Sequence, residues 1–166
     1  DPYIRSLSSE ERNQIARGIV RGISSMHHAE PPFFHRVLSP SAFLICRIKN
    51  KQKPLLINFD CVKDMDDSAD YTVFYAVSDK ISETEQPETI FAPELLSDEI
   101  LSDNSLDWEK IDVYALGKTL TKVLTNCYQL SPENESNISA EQLQTLYRMC
   151  SENPTIRPSI NEIEHL

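Results

Sequence analysis

The sequence predicts a mainly α fold, a helical bundle around a central buried helix with one small β-hairpin. Three observations carry that expectation. Two capping boxes open amphipathic runs: Ser8-Ser9-Glu10-Glu11 ahead of Ile15, Ile19, Ile23 and Met26, and Ser139 with Gln142 ahead of Leu143, Leu146 and Met149. From about Trp108 to Thr125 apolar residues fall on nearly every face (Ile111, Val113, Tyr114, Ala115, Leu116, Leu120, Val123, Leu124), as a helix through the middle of a core requires. Residues 42–48 and 54–59 are short β-prone runs separated by the lysine-rich stretch Lys49-Asn50-Lys51-Gln52-Lys53, which reads as a solvated turn.

The remaining elements follow in order. The first helix ends near His27-His28-Ala29, and Pro31-Pro32 forces an extended exit. Residues 60–86 are polar and acidic, with Asp64, Asp66, Asp67 and Asp70 close together, and read as a loop that holds at most a short strand over 71–77. Asn153-Pro154 stops the second capped helix, and Pro158 or Ser159 starts a last one running to Leu166. No internal repeat is present. One domain is expected from 166 residues with 40% hydrophobic and 25% charged content.

A net charge of −10 argues against a nucleic-acid surface, which concentrates Lys and Arg on one face. Cys46, Cys61, Cys127 and Cys150 are widely spaced without a C-x-x-C pair, the pattern of reduced, buried thiols in a cytoplasmic protein. No apolar run approaches a membrane span, so neither membrane nor nucleic acid is an expected partner. Two glycosylation tripeptides, at Asn134 and Asn137, carry little weight in a polar loop.

The string His35-Arg36-Val37-Leu38-Ser39-Pro40-Ser41-Ala42-Phe43-Leu44-Ile45 resembles the catalytic loop of protein kinases, H-R-D-L-x-P-x-N followed by a strand. Four further segments follow in the family's order: Leu56-Ile57-Asn58-Phe59-Asp60 at the place of D-F-G, Phe91-Ala92-Pro93-Glu94 at A-P-E, Asp112-Val113-Tyr114-Ala115-Leu116-Gly117 at the start of the central helix, and Cys150 to Ser159 at the segment ending in R-P-S. Together they span nearly the whole chain, which thus resembles the C-terminal (large) lobe of the kinase fold. The resemblance implies that Glu94 pairs with Arg157, clamping the activation segment to the helical base. It also implies that Asp112 accepts hydrogen bonds from the backbone around His35 and Arg36. These five residues are its structural set.

The chemistry-bearing positions depart from the family. Kinases use an Asp as base and an Asn with the D-F-G Asp to hold two magnesium ions. Here those positions read Val37, Ala42 and Asn58, and the loop lysine reads Ser39. Valine accepts no proton, alanine offers no oxygen, and neutral asparagine is a poorer ligand for hard Mg²⁺ than a carboxylate. The glycine-rich loop and its lysine lie outside the chain, and Gly18, Gly22 and Gly117 form no phosphate cradle. The stretch after Thr125 is too short for the family's usual next helix and its connections, so the substrate-docking region is trimmed as well.

No catalytic residue is therefore assigned. Asn58 and Asp60 are weak candidates for cofactor contact, Asp60 being more simply a solvent-facing or helix-capping residue. The group Asp64, Asp66, Asp67 and Asp70 lacks the glycine and closing glutamate of a calcium loop. His27, His28 and His35 with Cys46 or Cys61 lie at no metal-binding spacing, so no metal is expected. A helix-terminal role for His27 and His28, a core hydrogen-bonding role for His35 and a buried thiol at Cys61 are the expectations.

The function expected is that of a pseudokinase lobe engaged in protein interaction, regulation or scaffolding. Its partners would be other proteins and its own N-lobe upstream, and no cofactor is required. The alternative is a divergent active Ser/Thr-type kinase using ATP and Mg²⁺, with its N-lobe outside this chain. Under the first reading residues 60–90 form an interaction or regulatory loop.

Overall fold

The computed structural model describes residues 2–49, 51–64, 90–96, 106–135 and 138–166. Along them run α1 (Pro2–Ser6), α2 (Ser9–His27), β1 (Phe33–Phe34), β2 (Phe43–Ile48), β3 (Lys51–Leu56), β4 (Lys63–Asp64), α3 (Trp108–Thr125), α4 (Ala140–Met149) and α5 (Ile160–Ile163). Single 3₁₀ turns occupy Pro40–Ala42, Phe59–Cys61, Pro93–Leu95 and Pro154–Ile156. The fold is mainly helical with paired short strands, as the patterning predicts. The acidic residues Asp66, Asp67 and Asp70, and the stretch 71–77, lie outside the described residues.

Both expected capping boxes form. Ser8 Oγ accepts from the Glu11 amide while the Glu11 carboxylate accepts from the Ser8 amide, and Ser139 and Gln142 do the same at α4. Each satisfies two amides that a helix start leaves without partners. Helix α3 begins at Asp107, whose carboxylate accepts from the Lys110 amide, and ends at Asn126 in the left-handed region. Ile111, Val113, Ala115, Leu116 and Leu120 are all buried along it, so α3 is the central helix. Against it pack α2 (Ile15, Ile19, Ile23), α4 (Leu146, Met149) and α5 (Ile160, Ile163).

Two glycines set the spacing of these layers. A Cβ added at Gly117 would lie 2.8 Å from Met149 Cβ and 2.9 Å from Cys150 Sγ, so α3 and α4 approach only because that position is bare. At Gly18 it would lie 2.6 Å from Pro54 Cγ, which seats β3 directly on α2.

The hairpin differs from the sequence expectation. Strand β2 pairs antiparallel with β3 from Phe43↔Leu56 to Ile48↔Lys51, so the lysine-rich stretch is not all turn: Lys51, Gln52 and Lys53 belong to β3. Alternation explains why. Gln52 faces inward and is buried, its Oε1 accepting from the Tyr3 hydroxyl at 2.9 Å, while Lys51 and Lys53 point to solvent. Lys49, with φ +48°, begins the reversal. Phe43, Ile45 and Leu56 lie on the face that packs on the core, leaving Leu44, Ile48 and Leu55 exposed on the other.

Other expectations are corrected as well. Residues 60–64 are not plain loop, because Asp60 and Cys61 complete a 3₁₀ turn and β4 pairs with β1 in the register Phe33↔Asp64 and Phe34↔Lys63. The last helix stops at Ile163 rather than Leu166, although Leu166 still packs partly on the core. Of the thiols expected to be buried only Cys61 is; Cys46 and Cys150 are half-buried, Cys127 is exposed just after the cap that ends α3, and none of the four is in a disulfide. Among the described residues no helix is long and apolar enough to cross a membrane.

Candidate functional site

The residues singled out by sequence gather around the N-terminal half of α3. Asp112, in its first turns, is completely buried. Its Oδ2 accepts from the His35 amide at 2.7 Å and its Oδ1 from the Arg36 amide at 2.8 Å. Oδ2 also receives His27 Nε2 at 3.0 Å. Hydrogen bonds to an ionised acceptor are roughly twice as strong as neutral ones, and three of them compensate the burial of one carboxylate.

Those bonds hold a strained loop. Arg36 has φ +72°, and the Val37 amide donates to the His35 carbonyl at 2.9 Å, closing a three-residue turn around it. Such turns are rare for side chains other than glycine and cost on the order of 1–3 kcal/mol. The Asp112 carboxylate fixes the two amides that enter the turn. The Arg36 guanidinium is buried with its carbon 4.1 Å from the centre of the Trp108 ring, a cation–π contact.

His35 is also fully buried. Its Nε2 lies 3.2 Å from the Ile57 carbonyl, and since a carbonyl only accepts, that nitrogen carries the proton. This bond ties the 35–42 loop to the end of β3, as does the Ile57 amide donating to the Ala42 carbonyl at 2.8 Å. Asn58 follows in the left-handed region (φ +62°, ψ +58°), a conformation asparagine tolerates better than most residues. Its side-chain amide donates to the Ser41 carbonyl at 3.4 Å, so Ala42 and Asn58 are neighbours across the loop.

The side chains presented here carry no acid at the loop positions. Val37 is buried in an apolar cluster with Cys61, Phe91, Ala92, Ile111 and Tyr114. Ser39 Oγ exchanges a hydrogen bond with Ser41 Oγ at 2.8 Å, and Ala42 is buried. Asp60 is exposed in the first turn of its 3₁₀ segment.

Glu94 and Arg157 meet across the second face of α3. Arg157 Nη1 donates to Glu94 Oε1 at 2.5 Å and Nη2 to Oε2 at 2.9 Å, a two-pronged pair. The arginine side chain has no exposed area while that of Glu94 keeps 23%. Arg157 further donates to the carbonyls of Ser151, Lys110 and Glu152, and stacks 4.8 Å from the Tyr114 ring centre. Lys110 Nζ returns a bond to the Arg157 carbonyl at 3.0 Å.

Of the two histidines expected at the helix end, one turns inward. His27 is not a helix-end dipole partner but the side-chain ligand of Asp112, packed edge-on to Phe34. The signal was in the spacing: Ile15, Ile19 and Ile23 continue at four residues to His27, on the buried face of α2. His28 is exposed and takes the expected place at the end of α2, which it caps: its Nδ1 lies 2.9 Å from the Ser24 carbonyl, and its Nε2 meets Asn161. Among the described residues no group of three His, Cys, Asp or Glu is placed to hold a metal. No protein-family model matches the chain, and no curated protein matches it.

Proposed function

We propose that the chain is a degenerate protein-kinase large lobe, acting through protein contacts rather than phosphoryl transfer. The observation that carries this reading is the pairing of a well-braced 35–42 loop with a valine at its centre. Asp112 puts two hydrogen bonds into that loop and a third into His27 of α2, and Glu94 with Arg157 fastens the segment around residue 93, yet Val37 packs inward among apolar neighbours. A loop kept for catalysis needs a carboxylate within hydrogen-bond reach of a hydroxyl. Here the bracing is kept and the acceptor is not.

The exposed face of the hairpin supports a partner above it. Leu44, Leu55, Ile57 and Phe59 are each at least 36% exposed, and Leu44 and Leu55 are cross-strand neighbours. In the kinase-like reading this face receives the N-lobe, which would cover an apolar patch otherwise left in water.

The test is phosphate incorporation by the full-length natural protein, using labelled ATP with general protein substrates and with itself. No incorporation above a heat-killed control is expected. Incorporation that disappears on Asn58→Ala or Asp60→Asn would refute the proposal in favour of a divergent active kinase.

A further inference from the structure

We infer that the cleft between α1, the core face of β2 and the C-terminal half of α3 binds a small aromatic acid; this inference does not depend on the kinase-like reading. The cleft encloses about 380 Å³. That lies in the range of small-ligand pockets, on the order of 300–1,000 Å³. Tyr3, Phe43 and Tyr128 give it three aromatic walls, and Thr119 and Lys122 stand on its α3 side.

Thr119 is the first sign of a missing ligand group. Threonines inside helices commonly donate to the carbonyl four residues back. Thr121 does so to Gly117 at 2.9 Å and Thr125 to Thr121 at 2.8 Å. Thr119, fully buried two residues before Thr121, does not, and its hydroxyl has no hydrogen-bond partner. Buried hydroxyls without partners are costly and uncommon, so an acceptor entering the cleft gains by bonding this one.

Lys122 is the second. Its Nζ donates to the Asn126 carbonyl at 3.0 Å and lies 4.7 Å from the centre of the Tyr128 ring. An ammonium has three donors, leaving capacity for a ligand anion. No Asp or Glu lines the cleft, and among the described residues no carboxylate pairs with Lys122. Burial pushes the Tyr128 phenol above its ordinary range, so that wall stays neutral. Flat apolar walls with one hydroxyl donor and one cation match an aromatic ring bearing a carboxylate. The chain's net charge of −10 opposes anions at long range, but salt screens that field within about 8 Å at physiological strength.

The experiment is calorimetric titration of the full chain with 1-naphthoate, using 1-naphthalenemethanol as the neutral analogue. Saturable one-site binding of naphthoate is expected, with Lys122→Gln weakening it about tenfold, the loss of one charge-assisted contact, while changing the alcohol by less than about twofold. Lys122→Arg should keep naphthoate binding, and Thr119→Val, which removes the hydroxyl at constant shape, should weaken both ligands without unfolding the chain. Absence of saturable binding up to about 5 mM, a regime of free energies near −3 kcal/mol, overturns the site. So does naphthoate affinity that neither Lys122→Gln nor Thr119→Val alters.

Discussion

Replacing Arg157 by alanine removes a guanidinium that makes two bonds to Glu94 and three to backbone carbonyls, at a side chain with no exposed area. Breaking a buried ion pair by deleting one partner costs about 3–5 kcal/mol. Glu94 keeps 23% exposure, so water can partly solvate the carboxylate left behind, and the lower end, about 3 kcal/mol, is expected. The converse change is milder. Glu94→Gln leaves Arg157 its three carbonyls and one amide oxygen, and should cost about 1–2 kcal/mol. Arg157→Lys keeps the charge but loses the fork and should fall between them. Urea unfolding followed by circular dichroism measures all three, and Arg157→Ala should also lower the melting temperature by about 10 °C for a chain of this size. A loss within about 0.5 kcal/mol for Arg157→Ala, the range of ordinary surface substitutions, would refute the argument that this pair fastens the fold.

Thr119→Val should raise stability in the absence of ligand by about 1 kcal/mol, since it replaces a buried hydroxyl without a partner by a methyl group; a destabilised variant would mean the hydroxyl is bonded in solution. Bonds from the Ser159 amide and from Arg148 hold the Glu162 carboxyl down to about 2 from its ordinary 4.5. A depressed carboxyl stabilises the folded state above its unfolded pKa and loses that contribution as pH falls, here between about 4.5 and 2, so Glu162→Gln should flatten the acid limb of the stability curve in that window. Burial pushes the Cys150 thiol up to about 11, leaving it protonated at neutral pH, so a thiol reagent should modify exposed Cys127 well before Cys150, as peptide mapping after brief alkylation would read. Gly117→Ala should be destabilising despite alanine's better helix propensity, because its Cβ would crowd Met149 Cβ; calorimetric melting checks it.

What was legible in the sequence is what is local or long. The capping boxes at Ser8 and Ser139 need only residues three apart, and α3 announced itself by being apolar on every side. The contacts of Asp112 with His35 and Arg36, and of Glu94 with Arg157, came from the resemblance, and the structure places those groups in hydrogen-bond contact. The two-residue pairing of β1 with β4 left no readable pattern, since strands that short have no alternation to count. Lys51-Gln52-Lys53 was mistaken for turn because its charge masked a period-two strand with one buried position. Gly18 and Gly117 matter through what they touch 36 and 32 residues away, and that is invisible until the layers are assembled. The unbonded Thr119 hydroxyl is likewise a property of packing, for Thr121, the same residue two positions on in the same helix, has its hydroxyl bonded.

The central claim, a braced kinase-like loop that no longer serves nucleotide chemistry, is tested most directly by titrating the full-length natural protein with ATP and Mg²⁺ while following its melting temperature. A ligand present at a hundred times its dissociation constant stabilises a protein by about 2.7 kcal/mol, several degrees for a domain of this size. With Val37, Ala42 and Asn58 where the proposed likeness to kinases would put the base and the metal ligands, the account predicts no magnesium-dependent rise at millimolar ATP. A saturable rise that requires Mg²⁺ and is lost on Asn58→Ala or Asp60→Asn would contradict it.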